Sequence, residues 1–467
     1  MKQQSIATAN DGLDSVRSHG QWHIAWGHVA TVLLLIFAAI FYIRTAFTLG
    51  LGPNDGGPDE SMRALIPRCI INGNLLPSGY DACSIYSVGN WSYAFYPQML
   101  AGYISALFMS VAQAFGATAS VTFMTGRLTS VMFGLIALVS VSRTIAVIFS
   151  GKRYTAMLEF AAITLLGFWP QFAFLSSYMN NDIVALAGVS VLVHALVSGM
   201  KTKWRFGNSI ELAAGITLCG LGYWNSYGFI LVTVILFIMS AWMQNLYRRK
   251  RAMQLIAIAA VISAVLVLPW FIVNIVRYHD LVGMSTFREE YYQWLQDGGE
   301  VLQHPYTSGM RMLFLKTDFV KDTAESFVGR LGYMSIITPF VFTFIYYILS
   351  GVGAGLFLAQ LKLRWQSKNF RMLVVGVAVA CLITLALFMY YTTHTDYQPQ
   401  GRYIIYLLVP LVIASVTGIG DAAELKKPIP IAIFVFALAL YIYMCIFIFQ
   451  IAATEQGWNG VQWVGAL

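Results

Sequence analysis

Two adjacent carboxylates, Asp59 and Glu60, close the segment Gly52-Pro-Asn-Asp-Gly-Gly-Pro-Asp-Glu60, directly after the first long apolar run of the chain. A loop rich in glycine and proline can set a side chain at a cavity mouth without helix constraints. A carboxylate placed there can take a proton or hold a cation. Charged groups beside a bilayer are costly and mark function. The first loop also carries Asp55, Arg63 and Arg68, and similar polar residues recur at three other places. Asn180, Asn181 and Asp182 end the stretch that begins at Pro170. The region from Arg277 to about Gly332 holds Tyr278, His279, Asp280, Arg288, Glu289, Glu290 and Arg330. The stretch His394-Thr-Asp-Tyr-Gln-Pro-Gln-Gly-Arg402-Tyr403 completes the set.

Composition decides what must position these groups. With 58% hydrophobic and 11% charged residues among 467, the chain has too little polar surface for a soluble protein. Its apolar segments are continuous runs of about 20 residues, which read as spanning helices and not as alternating barrel strands. The expected class is an all-α polytopic membrane protein. The basic clusters at Lys152-Arg153, Lys201 to Arg205, Arg248 to Arg251, Lys362 to Arg371 and Lys426-Lys427 read as cytoplasmic loops.

Placing all of them on one side requires an odd number of crossings between the first loop and Lys152. Segment 95–115, which starts at Tyr96-Pro97-Gln98 and carries Gln113, is therefore read as an interfacial or re-entrant helix, leaving about eleven spans. The organisation follows: a cytoplasmic tail (1–25), a first span (26–49), an outer loop with juxtamembrane helices (50–123), six spans (124–276), a second long outer loop (277–332), four spans (333–452) and a short outer tail (453–467).

This topology gathers the acids and arginines on the outer face. The net charge of +8 then reports membrane orientation, and nucleic-acid recognition is excluded because no basic stripe with soluble reading elements is present. Cys219, Cys381 and Cys445 fall in spans as small apolar groups. Cys69 and Cys83 share the first outer loop, where a disulfide and two free thiols are both open.

Transfer of a sugar on the outer face must draw on a donor carried by a polyprenyl phosphate. It needs a base for the acceptor hydroxyl, a cation for the leaving phosphate and an apolar groove for the lipid. Asp59 suits the base and Arg402 the phosphate, since a guanidinium offers two parallel donors and stays charged. Asp182 would orient the acceptor or join Asp59 and Glu60 in holding Mg²⁺ or Mn²⁺. Arg330, Arg277 and Tyr403 are further candidates at the donor phosphate, and Arg63, Asn181, His279, Tyr333 and His394 are candidates at the substrate. Structural roles compete with several of these. Glu60 could cap a helix starting at Ser61, Asp182 could cap the fourth span, and Arg402 could anchor a helix start at the interface.

The chain resembles the GT-C superfamily of integral membrane glycosyltransferases, and within it a bacterial multispanning family. The residues that carry this resemblance are Pro58-Asp59-Glu60, Ser176-Ser-Tyr-Met-Asn-Asn-Asp182, the run Leu268 to Gly283, Ser326-Phe-Val-Gly-Arg-Leu-Gly-Tyr333 and Gln400-Gly-Arg-Tyr403. The resemblance implies a catalytic acid in the first outer loop, here Asp59, followed by juxtamembrane helices, and a donor pocket between the two long outer loops. It implies a bacterial inner-membrane enzyme with a polyprenyl-phosphate-sugar donor and a glycan, lipid-linked or protein acceptor such as a pilin. Two departures stand out: Ser61 where many relatives carry proline, and no C-terminal outer domain. The alternative readings are an O-antigen-type glycan polymerase or ligase, and a flippase or transporter of lipid-linked glycans.

Overall fold

In lipid every backbone N–H and C=O must be satisfied within its own segment, so long apolar runs close into helices. The computed structural model describes residues 27–50, 56–245, 247–424 and 431–455. Among them, nine helices are long and apolar enough to cross a membrane: Gly27–Thr48, Ala119–Ile148, Asp182–Thr202, Trp224–Gln244, Arg249–Tyr278, Phe340–Ala359, Lys368–His394, Gly401–Glu424 and Ile433–Glu455. The one sheet among the described residues is the antiparallel pair Arg330–Leu331 and Ile336–Ile337. The chain is an all-α polytopic membrane protein.

Two of the six spans expected over 124–276, the apolar runs 155–175 and 208–223, form shorter helices than a crossing needs. Segment 155–175 divides into Thr155–Gly167 and Pro170–Leu175. Pro170 lacks an N–H and pushes Trp169 to extended backbone, with ψ of 118°, so the helix breaks there and restarts with proline in its first turn. Segment 208–223 forms Phe206–Gly220, whose 15 residues rise only about 22 Å. Segment 95–115 forms the 15-residue helix Leu100–Ala114, which turns Leu107, Val111 and Phe115 outward. Residues 1–26 and 456–467, and with them both expected tails, lie outside the described residues.

Asp182–Thr202 is the central helix: nearly its whole apolar window is enclosed by neighbouring helices. Small residues let outer helices approach one another. At Gly418 an added Cβ would sit 2.2 Å from the Gly353 carbonyl oxygen, so this crossing of Phe340–Ala359 with Leu408–Glu424 is backbone on backbone.

The two ends of the bundle differ in chemistry. At one end Lys152 pairs with Glu424 at 3.2 Å, Arg364 holds Asp421, and Arg251 donates to the Trp204 carbonyl. The other end collects the loops that follow Gly27–Thr48, Arg249–Tyr278 and Lys368–His394. There Cys69 and Cys83 are joined in a disulfide, with Cα atoms 5.6 Å apart. Arg277 donates to the carbonyls of Pro77 and Leu76, and the Gly79 N–H donates to the Tyr278 hydroxyl. The closed loop spans 14 positions, for which chain entropy gives a stabilisation of about 3 kcal/mol. Replacing Cys83 with Ala is expected to lower the unfolding midpoint by a corresponding amount, and reductant should do the same to the wild type. A midpoint unmoved by either would show that Arg277 and Tyr278 alone hold this loop.

Candidate active site

The chain enters the site through a strained residue. Asp59 has φ of 62°, left-handed and uncommon outside glycine, and it immediately precedes the short helix Glu60–Arg63. That turn sends the two neighbouring carboxylates to different places. Glu60 turns inward and is 3% exposed. Its Oε1 accepts from Arg127 Nε at 2.8 Å and from the Met179 amide at 2.8 Å, and its Oε2 accepts from Arg127 Nη2 at 2.8 Å. The remaining Arg127 donors go to the carbonyls of Ala46, Leu49 and Gly50. All five guanidinium N–H groups are thus engaged in a fully buried residue, tying the end of Gly27–Thr48 to the start of Leu128–Ile148. The expectation of a catalytic Glu60 is therefore corrected: its oxygens are consumed by a structural clamp.

Asp59 turns the other way, onto the wall of a cavity of about 320 Å³. Its Oδ2 accepts from Arg402 Nη2 at 2.8 Å, while Oδ1 has no hydrogen bond among the described residues. Burial pushes the Asp59 carboxyl up, but the Arg402 and Arg63 guanidiniums outweigh it and hold the group below the ordinary carboxylate value. Asp59 is ionised at neutral pH.

Arg402 sits in the turn Gly401–Leu407, and Gly401 allows that turn to lie against Phe319–Gly329, since a Cβ there would meet the Phe327 backbone N at 2.2 Å. The guanidinium is 5% exposed, shares Nη2 with the Tyr403 hydroxyl at 3.4 Å, and lies over the Tyr403 ring. Tyr403 itself donates to Gln398 Oε1 at 2.7 Å and lines the cavity.

Arg63 differs from Arg402, whose guanidinium is paired with Asp59. The Arg63 guanidinium packs over the Tyr93 ring at 4.4 Å and makes no hydrogen bond or ion pair among the described residues. Burial opposes its charge, yet Tyr93, Asp59, Tyr223 and Asp182 hold its pKa above the ordinary guanidinium value. Arg288, from the helix Met284–Gln296, lines the same cavity. The walls are aromatic: Tyr96 stacks on Phe287 with centroids 5.1 Å apart, and Tyr223 stacks on Tyr403 at 6.4 Å.

Asp182 opens the central helix and is 3% exposed, with Oδ1 accepting from the Tyr406 hydroxyl at 3.1 Å. It is not the cap of that helix: Asn180 Oδ1 accepts from the Ile183 amide instead. Asn181 lines the cavity but spends its amide on the Gln98 and Gly222 carbonyls. Tyr333 is half exposed, and its hydroxyl pKa is raised by burial and then by the Asp59 charge.

Four expected site residues lie elsewhere. Arg330 is held by Asp322 at 2.6 Å and Glu325 at 3.1 Å, and Arg277 by the carbonyls of the disulfide loop. His279 ends its helix with φ of 53°, while His394 stacks on the outside of Tyr390 at 4.3 Å. None of the four lines the cavity. The three-carboxylate metal set of Asp59, Glu60 and Asp182 does not assemble either, because Glu60 is turned into the Arg127 clamp; among the described residues no three His, Cys, Asp or Glu side chains converge. Sequence reasoning missed Arg127, although a lone arginine in the apolar run Thr125-Gly-Arg-Leu-Thr-Ser130 is the kind of residue that requires a buried partner.

No family model and no curated protein matches the sequence. Solved structures do match. The archaeal oligosaccharyltransferase AglB from Archaeoglobus fulgidus, in complex with an inhibitory peptide and a dolichol-phosphate, superimposes with a TM-score of 0.51 over 93% of this chain at 14% identity. The Zn and sulfate complex of the A. fulgidus oligosaccharyltransferase gives 0.50 over 91% at 16%. ArnT from Cupriavidus metallidurans bound to undecaprenyl phosphate gives 0.49 over 83% at 14%. The chain spans 56%, 53% and 59% of those proteins, so the likeness is one of fold. The fold is shared with these archaeal oligosaccharyltransferase structures.

Proposed function

We propose that this chain is a membrane glycosyltransferase that moves a sugar from a polyprenyl-phosphate donor to an acceptor hydroxyl at the outer membrane face. The observation that carries the reading is an Asp59 kept ionised by Arg402 on the wall of an aromatic cavity that also contains Arg63, a cation with no protein counter-ion contact. In the transfer, the acceptor oxygen attacks the anomeric carbon and its proton passes to Asp59 Oδ1. The bond from that carbon to the phosphate oxygen breaks, and the polyprenyl phosphate departs with the electron pair. One displacement with one base inverts the anomeric centre.

Arg402 fixes the Asp59 carboxylate, and Arg63 takes the departing phosphate, the role first expected of Arg402. The aromatic walls suit the C–H faces of a sugar ring. Asp182, seated by Tyr406, would position the acceptor. The side chains at the site do not converge as a three-carboxylate metal set, because Glu60 is held by Arg127.

The disulfide beside the site fits an oxidising compartment, and the basic loops at the other end fit a cytoplasmic face. Both favour a bacterial inner membrane with the site facing outward and an acceptor that is a glycan, a lipid-linked oligosaccharide or a protein. A polymerase or ligase that relies on loop arginines alone would leave the Asp59 carboxylate on the cavity wall without a role.

Deletion of the gene in its native host, followed by mass spectrometry of envelope glycans and polyprenyl-phosphate sugars, tests the reading. One sugar should disappear from the envelope while its polyprenyl-phosphate donor persists. Completed lipid-linked glycan stranded inside would identify a transporter instead, and an unchanged envelope would refute the transferase.

Arg63→Ala is expected to weaken donor use by about 10- to 100-fold, the worth of a hydrogen bond to a charged group, with most of the change in KM. It also removes one of the two guanidiniums that hold the Asp59 pKa down. Activity needs the ionised carboxylate, so the acid limb of the pH profile should move to higher pH. A variant with unaltered KM and acid limb would remove Arg63 from the phosphate site.

A further inference from the structure

A second cavity, of about 530 Å³, lies at the basic end of the bundle, away from Asp59. It is a cleft among Asp182–Thr202, Lys368–His394 and Leu408–Glu424, with apolar walls that include Val197, Leu373, Val377 and Ile413. Its lining runs along one helix from Asn369 to Cys381, roughly 18 Å at 1.5 Å per residue, which is close to the depth of one leaflet. Its polar lining residues are Lys201, Arg364, Ser367, Asn369 and Thr417, and the two cations among them mark its mouth.

The two mouth cations are not equivalent. Arg364 is neutralised by Asp421, through a 3.0 Å contact from Nε to Oδ2. Lys201 is exposed and donates to Ser150 Oγ at 2.6 Å and to the Val147 carbonyl, and it pairs with no carboxylate among the described residues. Exposed Lys203, Arg205, Lys368 and Arg371 add positive charge at the same end.

We infer that this cleft is a binding site for an anionic glycerophospholipid of the basic-end leaflet, with one acyl chain lying between the helices and the headgroup phosphate at Lys201. A chain-length apolar slot matches an acyl tail, and an uncompensated cation at its mouth matches a phosphate. A neutral lipid satisfies the slot alone. The inference is independent of the chemistry proposed for Asp59.

Native mass spectrometry of the purified full-length protein, titrated with dioleoyl phosphatidylglycerol or dioleoyl phosphatidylcholine, tests it. Phosphatidylglycerol should be retained about five-fold better, the worth of one basic side chain near an anionic headgroup. Lys201→Ala should abolish that preference and Lys201→Arg should keep it, whereas Ala378→Trp, which fills the slot, should release both lipids. If Ala378→Trp fails to fold, the two Lys201 variants, on an exposed side chain, still decide. Equal retention of the two lipids, or a preference that survives Lys201→Ala, would overturn the inference. So would displacement of phosphatidylglycerol by undecaprenyl phosphate in the wild type, which would make the cleft a donor-lipid groove.

Discussion

Asp59→Asn is expected to lower turnover by about 10²- to 10⁴-fold while leaving the protein folded and its donor bound. The expectation rests on what the substitution keeps. Asparagine has the same shape, and its carbonyl oxygen can still accept from Arg402 Nη2, now 2.8 Å from Asp59 Oδ2. It also tolerates the left-handed backbone at φ of 62° as well as aspartate does, so no strain is added. What it loses is the negative charge and the capacity to take the acceptor proton. Complementation of the deletion strain with this variant, read by mass spectrometry of the envelope glycan, should fail even though the protein reaches wild-type abundance. Rates measured with purified protein should drop in kcat more than they change in KM. Near-normal turnover would remove Asp59 from the chemistry and leave it as the partner that seats Arg402.

Replacing the next residue should fail in a different way. Glu60→Ala leaves the Arg127 guanidinium fully buried with its charge unmet and takes the acceptor from the Met179 amide. Removing one partner of a buried, hydrogen-bonded pair typically costs about 3–5 kcal/mol, a large part of a domain's stability. The variant is expected to show a much lower unfolding midpoint in detergent and poor accumulation in the membrane, and activity should fall with the amount of folded protein. A double variant, Glu60→Met with Arg127→Met, should recover part of the loss by removing the stranded charge. Recovery would be incomplete because the carbonyls of Ala46, Leu49 and Gly50 lose their donors. An unchanged midpoint in Glu60→Ala would show that the clamp contributes little. Loss of kcat in a stable Glu60→Ala protein would return Glu60 to the catalytic set.

The contrast between these neighbours separates what the chain encodes locally from what folding decides. Membrane spans are legible because lipid forces apolar runs to close their own hydrogen bonds, so Gly27–Thr48 or Lys368–His394 can be read from hydropathy alone. The break at Pro170 was legible in principle, since proline limits the residue before it, yet apolar content on both sides hid it. Asp59 and Arg402 were visible as charges at loop boundaries. Their pairing across 343 positions was not, because it depends on how two distant loops are seated by Gly401, Phe327 and the central helix.

By itself, then, the sequence determined the all-α membrane class, the long helices and the candidate charges, since these follow from composition and from periodic or continuous apolarity. Tertiary structure alone decided that Glu60 turns to Arg127 while Asp59 turns to the cavity. It also decided that Arg330 is neutralised by Asp322 and Glu325, and that Arg63 is left with only aromatic company. A charge acquires its role from the groups that surround it, and for Asp59 and Arg402 those groups come from loops 343 positions apart.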